Sequence, residues 1–227
     1  MRRVILSFVL LLSFAGCDRE IEEPRSDFGF DYQPLEIGLF WTYEVEQTIY
    51  FGENDSETNS FFYRDKVRSF FINEEGEQVF VVDREKSDDQ VVWTRTLSFT
   101  RLIRDFSFVE NQENQTLVPL VFPPDLGTIW DGNIYQVEDT DDFEVVSSVS
   151  FEKGDRSEVD LVRVLQNDED DEITFRDRRY EIYANGIGMV EKYSEVVTYC
   201  SRNDCLGQQL INSGEITLMK LVDYGQD

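Results

Sequence analysis

Histidine is absent from all 227 residues, and that absence excludes more chemistry than any residue present suggests. With no imidazole to take a proton near neutral pH, Ser-His-Asp and Cys-His catalysis in their usual forms cannot be built. Histidine-containing zinc and non-haem iron sites are excluded with them. Positive charge is scarce as well: 21 Lys and Arg face 47 Asp and Glu, a formal net charge of −26. A phosphate backbone would be repelled, so nucleic acid is excluded as a partner. Broad adsorption to an anionic membrane surface is disfavoured for the same reason. Helical periodicity is missing too, because no segment sustains a three-four apolar spacing over three turns. What remains is 41% apolar and 14% aromatic, enough for a substantial core in one domain and too much for a disordered chain.

Cysteine occurs three times, at 17, 200 and 205. Ahead of Cys17 the chain begins Met1-Arg2-Arg3 and continues with the apolar run VILSFVLLLSF, Val4 to Phe14. Eleven residues make a helix of about 16 Å, roughly half of a ~30 Å hydrocarbon core, so the run is too short to span. A basic start, a short apolar middle and a small-residue end describe a secretory signal over 1–16. Phe14-Ala15-Gly16-Cys17 resembles the lipobox of bacterial lipoproteins, with Phe14 where that class favours Leu. The resemblance implies cleavage before Cys17, lipid on its sulfur and, as a rule, acylation of the new amino group. Losing Arg2 and Arg3 takes the formal charge to −28. Two or three acyl chains anchor stably where one would not.

Asp18 to Tyr32, DREIEEPRSDFGFDY, is dominated by charge and shows no sustained period, which predicts that 17–32 is a lipidated, flexible acidic tether. Asp18 after the cysteine resembles the inner-membrane retention signal of enteric bacteria. An acidic run in this place resembles a surface-export signal of other Gram-negative groups. Cys200 and Cys205 enclose Ser201-Arg202-Asn203-Asp204 after the strand-like EVVTY, so outside the cytoplasm a disulfide pinning a turn is expected, with free thiols the alternative. Two thiolates without histidine leave a metal site incomplete, and no metal or cofactor is expected.

From residue 33 to 227 the dominant period is two. FWTYEVEQTIYF puts Trp41, Tyr43, Val45, Ile49 and Phe51 on one face. The same alternation groups Trp93, Leu97, Phe99 and Ile103, and again Phe143, Val145, Val149 and Phe151. Core aromatics are therefore expected at Trp41, Tyr43, Trp93 and Trp130. Turns are expected at 73–76, 153–155, 167–171 and 213–214, the first a hairpin signal containing glycine. About ten strands predict one all-β antiparallel domain, a strongly curved open sheet, half-barrel or barrel with few short helices. Pro34 with IGLFW (37–41) is echoed by Pro124 with LGTIW (126–130), each a proline-glycine turn, at Gly38 and Gly127, that delivers a tryptophan into a strand. Two copies fit a duplicated half-sheet or a chance echo. Gly186 and Gly188 flank Ile187 in another expected turn, with no helix pattern or Lys-Ser pair after it to make a phosphate loop.

Pro34-Leu35-Glu36 with Gly38 and Trp41-Thr42-Tyr43, and far downstream Tyr183 to Val190, resemble a group of Gram-negative envelope lipoproteins. That resemblance implies an antiparallel β fold like the half-barrel of periplasmic lipoprotein carriers, and it implies no activity. The acidic runs 138–142 and 168–172, with Asp88-Asp89, could supply calcium oxygens but match no calcium-hand spacing and read as solvated loops. Arg176, Arg178 and Arg179 are expected to offset neighbouring acids across strands. The expected function is a non-enzymatic, lipid-anchored module of the cell envelope, at the outer membrane, binding an apolar ligand or an envelope protein. A His-free carboxylate glycoside hydrolase, for which no pair can be nominated among 47 acids, and a calcium-stabilised adhesion module are the alternatives.

Overall fold

A computed structural model describes residues 27–52, 55–136, 140–153 and 156–227, so the signal, Cys17 and the first part of the tether lie outside the described residues. The strands are β1 (Leu39–Gly52), β2 (Asp55–Ile72), β3 (Gln78–Ser87), β4 (Thr94–Arg104), β5 (Ser107–Gln112), β6 (Gln115–Val121), β7 (Ile129–Asp131), β8 (Asp142–Lys153), β9 (Arg156–Asp170), β10 (Phe175–Ala184), β11 (Gly188–Tyr199) and β12 (Ile211–Gln226). They form one antiparallel sheet in the order β6-β5-β4-β3-β2-β1-β12-β11-β10-β9-β8-β7. Each half is therefore a six-stranded meander, and the halves meet where the first strand pairs with the last, Val45 opposite Met219. The tryptophan echo falls at equivalent places, Trp41 in the first strand of one half and Trp130 in the first strand of the other.

The edge strands β6 and β7 are drawn together. Val118 N–H donates to the Gly132 carbonyl at 2.8 Å, and the Trp130 indole N–H donates to the Val118 carbonyl at 2.7 Å. A Gln136 side-chain N–H reaches the Thr116 carbonyl at 3.2 Å. These bonds bring the twisted sheet to a nearly closed barrel, which removes the exposed edges an open sheet would present. The inward face carries the core: Trp41, Tyr43, Val45, Phe61, Val67, Val82, Phe99, Phe108 and Leu120 from one half, and Phe143, Val145, Val162, Val164, Tyr183, Met189 and Met219 from the other. Trp130 is half-buried and packs against both this core and a smaller cluster of Val79, Leu102, Val109 and Val118.

In such a meander alternate turns share an end. Turns 73–77, 105–106 and 185–187 and the C-terminus lie at the end where β1 begins, called here the entry end. Residues 27–32, expected as part of the flexible tether, belong to the fold at that end. Phe30–Tyr32 forms a 3-10 turn, Tyr32 and Gln33 are buried, and Gly186 N–H donates to the Asp31 carbonyl at 2.8 Å. Aromatics hidden in a charged run, Phe28, Phe30 and Tyr32, take this segment into the fold.

Five other expectations are corrected. Trp93 is no core residue: it precedes β4, half-exposed, donates its indole N–H to the Gln90 carbonyl at 3.2 Å and lies 3.9 Å beneath the Arg64 guanidinium. Val149 is exposed because a bulge between Val145 and Ser147 reverses the alternation of β8, and Phe51 is exposed because β1 outruns the core. The turn expected at 167–171 falls later, after Asp170, and Ser213-Gly214 is inside β12. Gly214 has φ of 119°, and a Cβ there would lie 2.2 Å from the Val196 carbonyl oxygen, so the glycine permits close strand approach without a turn. The turn expected at 153–155 centres on residues outside the described set, and the hairpin at 73–76 is present.

Cys200 and Cys205 are joined, with Cα atoms 5.8 Å apart, at the start of the connection from β11 to β12. So short a loop constrains the unfolded chain by about 2 kcal/mol. The double variant Cys200→Ala/Cys205→Ala is expected to lose that much in denaturant titration and to keep its far-ultraviolet signature. A loss near zero would show that the bond only decorates a loop already held by other contacts.

Candidate functional site in the barrel interior

Inside the barrel, strand alternation places charge where apolar side chains are the rule. Tyr63, Asp65 and Val67 share the inward face of β2, and Asp65 has no exposed surface. Arg84 of β3 lies opposite Asp65 in the sheet and grips it with two bonds, Nε to Oδ1 at 2.6 Å and an Nη to Oδ2 at 2.7 Å. Arg101 of β4 approaches the same carboxylate at 3.5 Å and donates from Nε to Glu110 of β5 at 2.8 Å. Across the barrel Lys192 of β11 donates to Glu181 of β10 at 2.7 Å, and the Tyr183 hydroxyl donates to the other oxygen of Glu181. Three cations thus meet three anions.

All of these groups except Asp65, with Gln33, Gln112, Phe108, Met189 and Met219, border a cavity of about 200 Å³. Lys192 keeps 38% of its side-chain surface accessible, consistent with lining that space. The arginines also face rings: Arg84 lies 5.0 Å from Tyr63 and 5.3 Å from Phe99, and Arg101 lies 4.8 Å from Phe99. Such contacts attract a partly desolvated guanidinium and hold its plane.

The electrostatics follow from this pairing. Burial alone would raise the Asp65 carboxyl, but the charge and hydrogen bonds of Arg84, with Arg101 behind, outweigh it and hold the group below the usual carboxylate range. Burial likewise opposes ionisation of Glu181, and Lys192, Tyr183 and Gln166 overcome it, leaving Glu181 low. Glu181 raises the Lys192 ammonium, and burial raises the Tyr43 and Tyr183 phenols. Every one of these shifts favours the ionisation state in which the cluster is neutral overall.

The sign for Glu181 is definite. A folded-state pKa below the unfolded value of ~4.3 gives stability that is present above that value and lost as pH falls through the folded one. The stability difference between the native protein and Glu181→Gln should therefore be constant at neutral pH and shrink below about pH 4. Denaturant titrations across pH 2.5 to 7, set roughly by that window, would reveal a constant difference if Glu181 were not ion-paired.

A general acid for glycoside hydrolysis needs a carboxyl raised toward neutrality. Asp65 and Glu181 are shifted the other way and spent on cations. Outside the barrel the acidic runs are also engaged. Asp171 accepts backbone N–H bonds from Ile173, Thr174 and Phe175, and Asp89 accepts those of Val91 and Val92. Glu138 and Asp139 lie outside the described residues, and among those described no group of three or more acids, cysteines or histidines could hold a metal ion. Arg178 pairs with Asp168 and Asp170, Arg179 with Asp177 and Asp141, and Arg176 with Glu195.

Gly38, Gly127, Gly186 and Gly188 all have positive φ, between 75° and 107°. At Gly188 the reason is a close approach: a Cβ there would lie 3.1 Å from the Trp41 indole nitrogen, which donates to the Ile187 carbonyl at 2.5 Å. Tyr43 bonds two residues further on, its hydroxyl donating to the Met189 carbonyl at 3.1 Å. The two tryptophan-motif aromatics of β1 thus clamp the Gly-Ile-Gly turn, joining both motifs of the sequence resemblance at one place beside the cavity.

The sequence reading did not find the interior cluster. Its signal was available in Tyr63-Arg64-Asp65-Lys66-Val67, Phe99-Thr100-Arg101-Leu102-Ile103 and Glu181-Ile182-Tyr183, where one charged residue occupies the inward parity of a strand.

No protein-family model matches the chain, and no curated protein matches it. Among solved structures, it is similar to a Bacteroides fragilis protein described as exported with a YmcC-like fold, at a TM-score of 0.44 and 12% identity over 86% of this chain and 98% of that one. It is also similar to a Parabacteroides distasonis protein described as a lipoprotein, at a TM-score of 0.37 and 8% identity over 89% of this chain and 100% of that one.

Proposed function

We propose that this chain is a non-enzymatic, lipid-anchored protein of the cell envelope, held at the outer membrane through Cys17, and that it serves as a binding or scaffold module for another envelope protein. The observation that carries the choice of a protein over an apolar ligand is the charged lining of the interior. Sites for small molecules are typically pockets of roughly 300–1,000 Å³ with mostly apolar walls. The interior space here is about 200 Å³ and is bordered by Arg84, Arg101, Lys192, Glu110 and Glu181. An apolar guest there would lie against those charged groups and shield them from water without offering them a partner. Binding is then left to the outer surface and the ends of the barrel. The anchor reading rests on residues 14–17 and on their position between an apolar run and a charged one.

Palmitate labelling in the native host tests the anchor: incorporation that disappears in Cys17→Ser is expected, and unlabelled mature protein in the aqueous phase would refute it. Native mass spectrometry of the detergent-extracted protein tests the choice of ligand. The expected mass is that of the lipidated chain alone, and a stoichiometric apolar guest retained by Cys17→Ser would restore the carrier reading.

A further inference from the structure

We infer that the entry end of the barrel is a bilayer-contact face, seated through Phe28, Phe30 and Phe106 on the leaflet that holds the anchor. The inference rests on the anchor reading above and goes beyond it, since an anchored domain need not touch the membrane with its body.

The first observation is an aromatic cluster at the point where the chain enters the fold. Ring centroids of Phe28 and Phe106 are 5.3 Å apart and those of Phe30 and Phe106 5.9 Å, while Phe30 stands edge-on to Phe122 at 5.0 Å. Phe122 is buried beneath, whereas Phe28, Phe30 and Phe106 remain 37%, 37% and 49% exposed. Ile72, the last residue of β2 at the same end, is exposed too.

The second is backbone strain spent on one of these rings. Asp105 and Phe106 make the two-residue turn between β4 and β5, with φ of 46° and 64°. A turn with two positive φ values favours Asn-Gly, because a bulky side chain in the left-handed region is costly. The turn's own bonding does not call for a phenyl ring: the Phe106 carbonyl accepts from Phe122 N–H at 2.7 Å, which a glycine would do as well. A strained residue that leaves half its ring in solvent points to an outside contact.

The third is where the chain leads. Described residues begin at Asp27, beside Phe28, and Cys17 is ten positions earlier. Fully extended, those positions reach at most about 35 Å. The same end of the barrel is therefore kept near the bilayer at all times, a constraint that no soluble partner shares. Asp27, Asp31 and Asp105 flank the three rings in sequence. Their charge excludes attraction to anionic headgroups, so the contact is aromatic burial at the interface of zwitterionic lipid.

The test uses the full chain in its own envelope with Phe106→p-benzoylphenylalanine, and a second chain carrying the same photoreactive group at Val91, which is exposed at the opposite end. Each is first floated with membranes on a density gradient. After irradiation, lipid adducts are expected at 106 and none at 91. A floating chain that gives a protein adduct, a dimer or no adduct at 106, or lipid adducts equally at 91, overturns the contact face while leaving the anchor intact. A chain that does not float overturns the anchor, and the face with it.

Discussion

Asp65→Ala should destabilise the protein by about 3–5 kcal/mol, because it strands buried cations that lose their shared partner. Arg84 makes both of its close bonds in the cluster to Asp65, and Arg101 would retain Glu110 alone. Against a total stability of roughly 5–15 kcal/mol, a loss of this size leaves the variant marginal. Denaturant titration measures it directly. The informative companion is Asp65→Leu with Arg84→Met, which removes the pair together and should recover most of the loss. If the double variant is as unstable as the single one, Asp65 matters by its shape, and the charge argument fails.

Trp41→Ala should cost about 3–5 kcal/mol, the range for removing a large buried aromatic. The position is more than a filled volume, because its indole bonds across to the β10–β11 turn and a glycine makes room for it. Trp41→Phe separates the two contributions. It keeps most of the ring and leaves the Ile187 carbonyl without its donor, at a cost of about 1–3 kcal/mol. Amide exchange should then accelerate around residues 185–190 and not in the β2–β3 hairpin. Uniform acceleration would mean that Trp41 supports the core as a whole and does not pin that turn.

The sheet was legible in the chain because alternation survives wherever a strand is regular. Trp41, Tyr43 and Val45 are buried on the inward face as their spacing predicts, with Glu44 and Glu46 outside. Legibility stops at irregular places. A bulge shifts parity by one residue, so Phe143 and Val145 were placed correctly and Val149 was not. Trp93 precedes its strand, and no pattern in VVWTRTL marks where the pairing begins. Ser213-Gly214 has turn composition, yet the cause of its glycine is a carbonyl on a neighbouring strand, remote in sequence. The interior cluster was hidden for a related reason. Asp65, Arg101 and Glu181 look like ordinary surface charges until their partners, 19 or more positions away or on another strand, are known to share one interior.

The pairing of the first strand with the last has a consequence for how this chain comes into being. β12 is made after the other eleven described strands, yet it stands at the middle of the sheet, between β1 and β11. Until it arrives, each half displays a full-length strand with unsatisfied backbone groups, an open template for mispairing with another copy. The contact joining residue 39 to residue 226 closes a loop of nearly the whole chain, the slowest kind of closure in a β protein. Assembly therefore cannot be completed domain-half by domain-half during synthesis. It waits for the sixteen residues of β12, and loss of that strand would release two aggregation-prone sheets in place of one slightly shortened barrel.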